Sequence, residues 1–154
     1  MSQKKIESRY ADTGLTSHME DYLETIYLLS RENRVVRVKD IARRLEIKMP
    51  SVTAALNKLR QNDLIDYEKY GFIELTEEGE KLARQVYERH SCLSSFFEEV
   101  LNLDCTNADN VACRVEHALT PDSCVRIHNF LEFFHAEEKA GEPWINRLRK
   151  AINS

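Results

Sequence analysis

The sequence predicts a mainly α-helical chain, with an N-terminal winged helix-turn-helix and two-stranded wing followed by a helical domain. Three observations carry this. Apolar residues recur at helical spacing through most of the 154 residues. A short helical pattern, a tight connection and a proline-led second helix lie between residues 38 and 60. One alternating apolar run, residues 64–75, turns back at a tip containing Gly71.

Each element has a local reason. Residues 1–16 show no periodicity and are read as a mobile tail. Ser17 is a plausible N-cap for a helix to about Ser30, with Leu23, Ile26, Tyr27 and Leu29 apolar and Glu20 and Asp21 suiting the positive end of the helix dipole. Val38 to Leu45 reads as a short helix and residues 46–49 as the connection. Pro50 fits the first turn of the next helix, where its missing N–H costs nothing. After the hairpin, Thr76 starts a long helix expected to reach Val100. Thr106 or Asn107 is the expected cap of a helix carrying Cys113, Glu116 and His117. Thr120 and Pro121 open a further helix, which Gly141 and Pro143 interrupt before an amphipathic end. The expected divisions are a tail over 1–16, a winged unit over 17–76 and a helical domain over 77–154.

Composition narrows the class of function. No apolar run approaches the ~20 residues of a membrane helix, and the N-terminus lacks a secretory core. The four cysteines show no Cys-x-x-Cys spacing, so a reduced cytoplasmic setting and no membrane partner are expected. The net charge of −4 argues against a general nucleic-acid binder, but its distribution does not. Residues 34–69 hold nine Lys and Arg against five Asp and Glu, a local +4 on an otherwise acidic chain.

That basic segment is also the helix-turn-helix pattern. A recognition helix inserts its N-terminal residues into the major groove of double-stranded DNA. Pro50, Ser51, Thr53, Ala54 and Asn57 lie near the duplex in this reading, and Arg37, Lys39, Arg43, Lys48, Lys58 and Arg60 could neutralise phosphates. Ala54, where a longer side chain could reach a base, points to sparse base reading and a contribution from DNA shape.

A second chemistry lies downstream. At helical spacing Cys113, Glu116 and His117 share a face, and thiolate, carboxylate and imidazole are all ligands of divalent metals. Asp21 and Glu24 form another acidic pair, and His90 follows on the long helix. Burying three such groups without a cation is costly, although each alone has an ordinary structural explanation. Spacing alone leaves other readings open: a regulator sensing an oxidant or organic ligand through Cys113, a metal buffer, or a small metal-dependent hydrolase. Phe130, Leu131, Phe133 and Phe134 offer more apolar surface than one helix face needs. With Leu23 and Tyr27 they are the expected dimer contacts.

Six segments taken together resemble a known family. MEDYLETIY (19–27), IARRL (41–45), PSVT (50–53), LTEEG (75–79), ERH (88–90) and ACRVEH (112–117) are similar to the diphtheria-toxin-repressor family of metal-dependent repressors, which includes iron-dependent repressors and manganese transport regulators. The resemblance covers about residues 17–135. It implies a two-domain homodimeric repressor that is not an enzyme, with a metal-binding and dimerising helical domain and a near-palindromic operator.

It also implies a ligand set. Asp21 and Glu24 match first-helix ligands of the manganese type, where the iron type carries Met in place of Asp21. His90, Glu116 and His117 match ligands common to both, and Cys113 matches the iron-type cysteine. Ser94 and Asp109 stand where the iron type has a carboxylate and a histidine. The mixture predicts Fe(II) or Mn(II), with Co(II) or Zn(II) as further candidates because a thiolate suits softer ions.

Overall fold

The computed structural model describes residues 3–67 and 71–153, with side chains from residue 6 onward. The hairpin tip at 68–70, including Lys69 of the basic segment, lies outside the described residues, as do residues 1–2 of the expected tail. The chain divides into two compact units. Residues 13–87 form one, and residues 1–12 with 88–154 form the other.

The first unit is the winged helix. In helix α2 (Ser17–Glu32) Thr16 takes the N-cap position, without a side-chain capping bond, so Ser17 is the first helical residue instead of the cap. Helix α3 (Val38–Arg44) ends in a turn where Glu46 takes φ +55°, and α4 (Met49–Gln61) follows with Pro50 in its first turn. Leu23, Ile26, Ile41, Val52, Leu56 and Leu59 interlock with no accessible surface. Strands β1 (Ile65–Tyr67) and β2 (Ile73–Leu75) pair antiparallel, with Tyr67 opposite Ile73. Ile73 also donates its N–H to Val36 O at 3.0 Å, which ties the wing base to the segment before α3.

Helix α5 (Glu77–Ser95) starts where Thr76 closes the hairpin. Its N–H donates to Leu64 O and its hydroxyl to Asp63 O, while Gly79 N–H donates to Thr76 Oγ1. Only glycine fits at residue 79, because a Cβ would stand 1.8 Å from Leu64 O.

The second unit corrects two expectations. The N-terminal segment is not a mobile tail: α1 (Gln3–Arg9) is helical, and Ile6 and Tyr10 are buried in the core of this unit. Tyr10 OH lies 3.3 Å from His128 Nδ1, and Arg9 pairs with Glu88 at 3.1 Å. The long helix reaches Val100 as expected, but after Ser95 it widens into a π-helical turn over Phe96–Val100. Helix α6 (Cys105–Val115) is capped by Asp104, whose carboxylate accepts from Asn107 N–H, and not by Thr106 or Asn107. A 3₁₀ turn, Glu116–Ala118, leads to α7 (Pro121–Ala140), capped by Thr120 as expected. Gly141 ends α7 in the left-handed conformation, and α8 (Pro143–Ile152) follows.

The expected dimer residues separate on burial. Leu23 and Tyr27 fill the winged core, and Leu131 and Phe134 the helical core, so none of these four presents a surface. Phe130 and Phe133 are exposed. Phe133 stacks on Trp144 with ring centroids 6.0 Å apart.

Candidate metal centre and nucleic-acid interface

The metal-type residues of the helical unit converge where α6 gives way to its 3₁₀ turn. At that junction Cys113 is exposed on α6, whereas Glu116, whose N–H still bonds Ala112 O in α-helical register, is completely buried. His90, near the end of α5, reaches Glu116, with Nδ1 3.0 Å from Glu116 Oε2. Its other nitrogen, Nε2, lies 2.9 Å from Asp109 Oδ1 on α6. His117 Nε2 is 3.3 Å from Glu116 Oε1, within ion-pair reach. That oxygen nevertheless accepts no hydrogen bond among the described residues.

This arrangement demands positive charge. A fully buried carboxylate without its full set of hydrogen bonds is costly. A neutral imidazole has one N–H, so His90 can donate to only one of the two carboxylates beside it. The other contact sets a lone pair against an oxygen unless a second proton or a cation intervenes. One carboxylate and two imidazoles are nitrogen and oxygen donors suited to a divalent first-row metal. The donor set and the orphaned Glu116 Oε1 thus fit a metal ion.

Asp21 and Glu24 are half-buried on α2, in the winged unit, one turn apart on the same face. Of the four cysteines, Cys92 and Cys124 are buried, and burial pushes the Cys124 thiol up to about 11 and the Cys92 thiol in the same direction. Those two stay protonated at neutral pH.

The basic face of the winged unit is carried by α3 and α4. Pro50, Ser51, Ala54, Asn57 and Lys58 are exposed on α4, as are Arg37, Lys39, Arg43 and Lys48 before it. Thr53 is half-buried, and its hydroxyl donates to Met49 O at 3.1 Å, so it is less available than the sequence suggested. Arg60 donates to Tyr67 O at 3.2 Å and braces the wing. Met49 and Phe72 are exposed apolar side chains at the start of α4 and on the wing, and Arg37 lies over the Phe72 ring at 5.3 Å. Neither was singled out from sequence. Met49 was read as part of the turn, but the helix begins one residue before the proline. Asp109 was noted only as a departure from the iron-type pattern; its pairing with His90 depends on the packing of α5 on α6, which no local spacing reveals.

Comparison with known proteins agrees with both halves. Residues 14–73 match the iron dependent repressor N-terminal DNA binding domain, and residues 76–145 the iron dependent repressor metal binding and dimerisation domain. The chain is 37% identical over 121 residues to an uncharacterized HTH-type transcriptional regulator of Methanocaldococcus jannaschii, covering 78% of this chain and 97% of that one. It is 35% identical over 123 residues to the HTH-type transcriptional regulator MntR of Shouchella clausii, covering 80% and 85%. Among solved structures, the manganese regulator SloR superposes with a TM-score of 0.67 at 29% identity, over 77% of this chain and 55% of that one. The chain thus spans about half the length of that solved relative.

Proposed function

This chain belongs to the iron-dependent repressor family of metal-dependent transcriptional regulators, which are not enzymes, and on that premise we propose that it represses metal-homeostasis genes when Fe(II) or Mn(II) occupies its helical unit. The observation that carries the reading is Glu116, fully buried between two imidazoles with one oxygen lacking a hydrogen bond. A bound cation supplies the positive charge this carboxylate needs. Glu116, His117 and His90 would hold it. Asp21, Glu24 and Cys113 are proposed as further donors on the strength of their correspondence to the family's ligand positions.

Hard carboxylate oxygens favour Mn(II) or Fe(II), and availability in the cell selects between them as much as affinity does. Control follows from linkage: occupancy favours the DNA-competent arrangement only insofar as that arrangement binds the ion more tightly. Lys58 and the exposed Arg37, Lys39 and Lys48 would take phosphates, with Ser51 and Asn57 nearest the bases. A homodimer would place two α4 helices on successive major-groove faces of a near-palindromic operator. The proposed dimer contacts narrow to Phe130 and Phe133, the two aromatic side chains that α7 leaves exposed.

The test is anaerobic binding to the promoter upstream of the chain's own gene, with each metal added in turn. Fe(II) or Mn(II) should tighten binding strongly for the wild type and not for Glu116→Ala. Equal binding with and without metal would overturn the proposal. For Cys113, Co(II) loading should give an intense sulfur-to-metal band in the near ultraviolet that Cys113→Ala abolishes and Cys92→Ala preserves. A spectrum without that band removes the thiol from the ligand set.

A further inference from the structure

We propose that Asp109 is a positioning residue: its carboxylate accepts the Nε2–H of His90, fixes that tautomer and turns Nδ1 toward Glu116 as the metal-facing nitrogen. This rests on the reading of Glu116 and His90 as ligands and adds to it a residue outside the coordination sphere.

With a cation against Glu116, the geometry leaves one assignment for the imidazole hydrogen. His90 Nε2 is 2.9 Å from Asp109 Oδ1, and Nδ1 is 3.0 Å from Glu116 Oε2. The two carboxylates differ in setting. The Glu116 side chain has no accessible surface, whereas that of Asp109 is 64% exposed. Asp109 therefore keeps its hydration on one side and loses little by accepting a hydrogen bond on the other. Glu116 sits at the inner end, beside His117 Nε2, and its Oε1 accepts no hydrogen bond. A cation placed against Glu116 meets the lone pair of Nδ1 only if the imidazole hydrogen is on Nε2. Asp109 holds it there. Such carboxylate–histidine pairs orient the ring and make the ligating nitrogen more basic, and their loss typically weakens metal affinity ~10–100-fold.

Local architecture explains how Asp109 reaches this place. The Asp104 cap starts α6 at Cys105, which sets Asp109 in the second turn of that helix and Glu116 just beyond its last. Ala108 and Ala112, fully buried on the same helix, allow α6 to pack closely.

The experiment compares wild type, Asp109→Ala and Asp109→Asn in the full chain. Asparagine keeps an oxygen acceptor, and alanine does not. Long-range proton–nitrogen spectra should show the Nε2–H form of His90 in the Zn(II)-loaded wild type, with Nδ1 shifted as the ligating atom. Asp109→Ala should weaken Mn(II) binding ~10–100-fold and lose the slowly exchanging Nε2–H signal, at unchanged metal-free melting temperature. Asp109→Asn should recover most of both. Unchanged Mn(II) affinity in Asp109→Ala overturns the inference, as does an Nδ1–H form with Nε2 shifted by Zn(II). Asp109→Asn as weak as Asp109→Ala, with the Nε2–H signal retained, also overturns it, since Asp109 would then be ligating the ion directly. A wild type that binds Mn(II) tightly without tighter operator binding would sink the repressor proposal and leave this assignment intact.

Discussion

The winged unit closes around aliphatic side chains with no accessible surface, whereas the helical unit packs Glu116, Arg89 and two thiols among its apolar residues. Both units bury a glutamate, but on different terms. Glu20 of the winged unit accepts a 2.6 Å hydrogen bond from Thr13. Glu116 lies against imidazoles and keeps one oxygen without a hydrogen bond. The first unit is complete as a hydrophobic object. The second buries a carboxylate with one oxygen that accepts no hydrogen bond, so its stability should respond to cations where that of the winged unit does not.

The largest expected effect breaks the winged unit alone. Gly79→Ala would force a Cβ to within 1.8 Å of Leu64 O, a backbone atom that cannot step aside without opening the hairpin. A loss of about 3 kcal/mol or more is expected, at the upper end of overpacking effects. The sole tryptophan, Trp144, belongs to the helical unit and reports it separately. In urea, circular dichroism should show an early transition for the variant while Trp144 fluorescence keeps its wild-type midpoint. Two coincident early transitions would mean that the units unfold as one, and the contrast between them would have no energetic content.

The next effect concerns the buried charge. At a free Mn(II) concentration ~100 times its Kd, linkage gives the wild type ~2.7 kcal/mol of added stability. Glu116→Gln keeps the shape and removes the charge, so the metal-dependent rise in melting temperature should vanish. Without metal the same variant should melt within a few degrees of wild type, because an uncompensated buried carboxylate contributes little. A variant that still gains stability from Mn(II) would place the ion elsewhere.

The two units also differ in how legible they were. The winged helix could be read residue by residue because its signals are local: Pro50 in the first turn of α4, alternation on both sides of Gly71, Thr76 ahead of an acidic turn. The metal-type residues were legible as a set but not as a geometry. Helical spacing put Cys113 with Glu116 and His117, but it could not show that the carboxylate is buried against His90 while the thiol stays exposed. The N-terminal segment was misread for a related reason. Ile6 and Tyr10 carry too few apolar neighbours to show a period, and only packing against residues distant in the sequence, such as His128, makes them core.

A smaller effect separates the units by pH. Burial raises the Cys124 thiol from 9.0 to about 11, and raises Cys92 and the Tyr10 phenol as well. The folded helical unit therefore holds protons that the unfolded chain releases. The stability this gives is complete below about pH 9 and is lost as pH climbs toward 11. The urea midpoint read by Trp144 should fall over that window, by the equivalent of about 2 kcal/mol, and Cys124→Ala should flatten the decline. A midpoint independent of pH between 9 and 11 would contradict the burial argument.

The smallest effects distinguish two neighbouring cations of α4. Lys58 is exposed in the last turn and is proposed to neutralise a phosphate, whereas Arg60 already donates to Tyr67 O. Lys58→Ala should weaken binding to specific and random duplexes alike and lower the slope of log K against log salt by about one, with no change in stability. Arg60→Ala should do the reverse. Removing its donation to Tyr67 O costs about 1 kcal/mol of winged-unit stability and leaves the salt slope close to wild type, since its guanidinium is engaged at the wing. Titrations at four salt concentrations, paired with urea midpoints, resolve the two roles. If Arg60→Ala lowers the slope as much as Lys58→Ala does, the arginine exchanges its carbonyl for a phosphate on binding. The brace at the wing base would then be a resting position of the free protein.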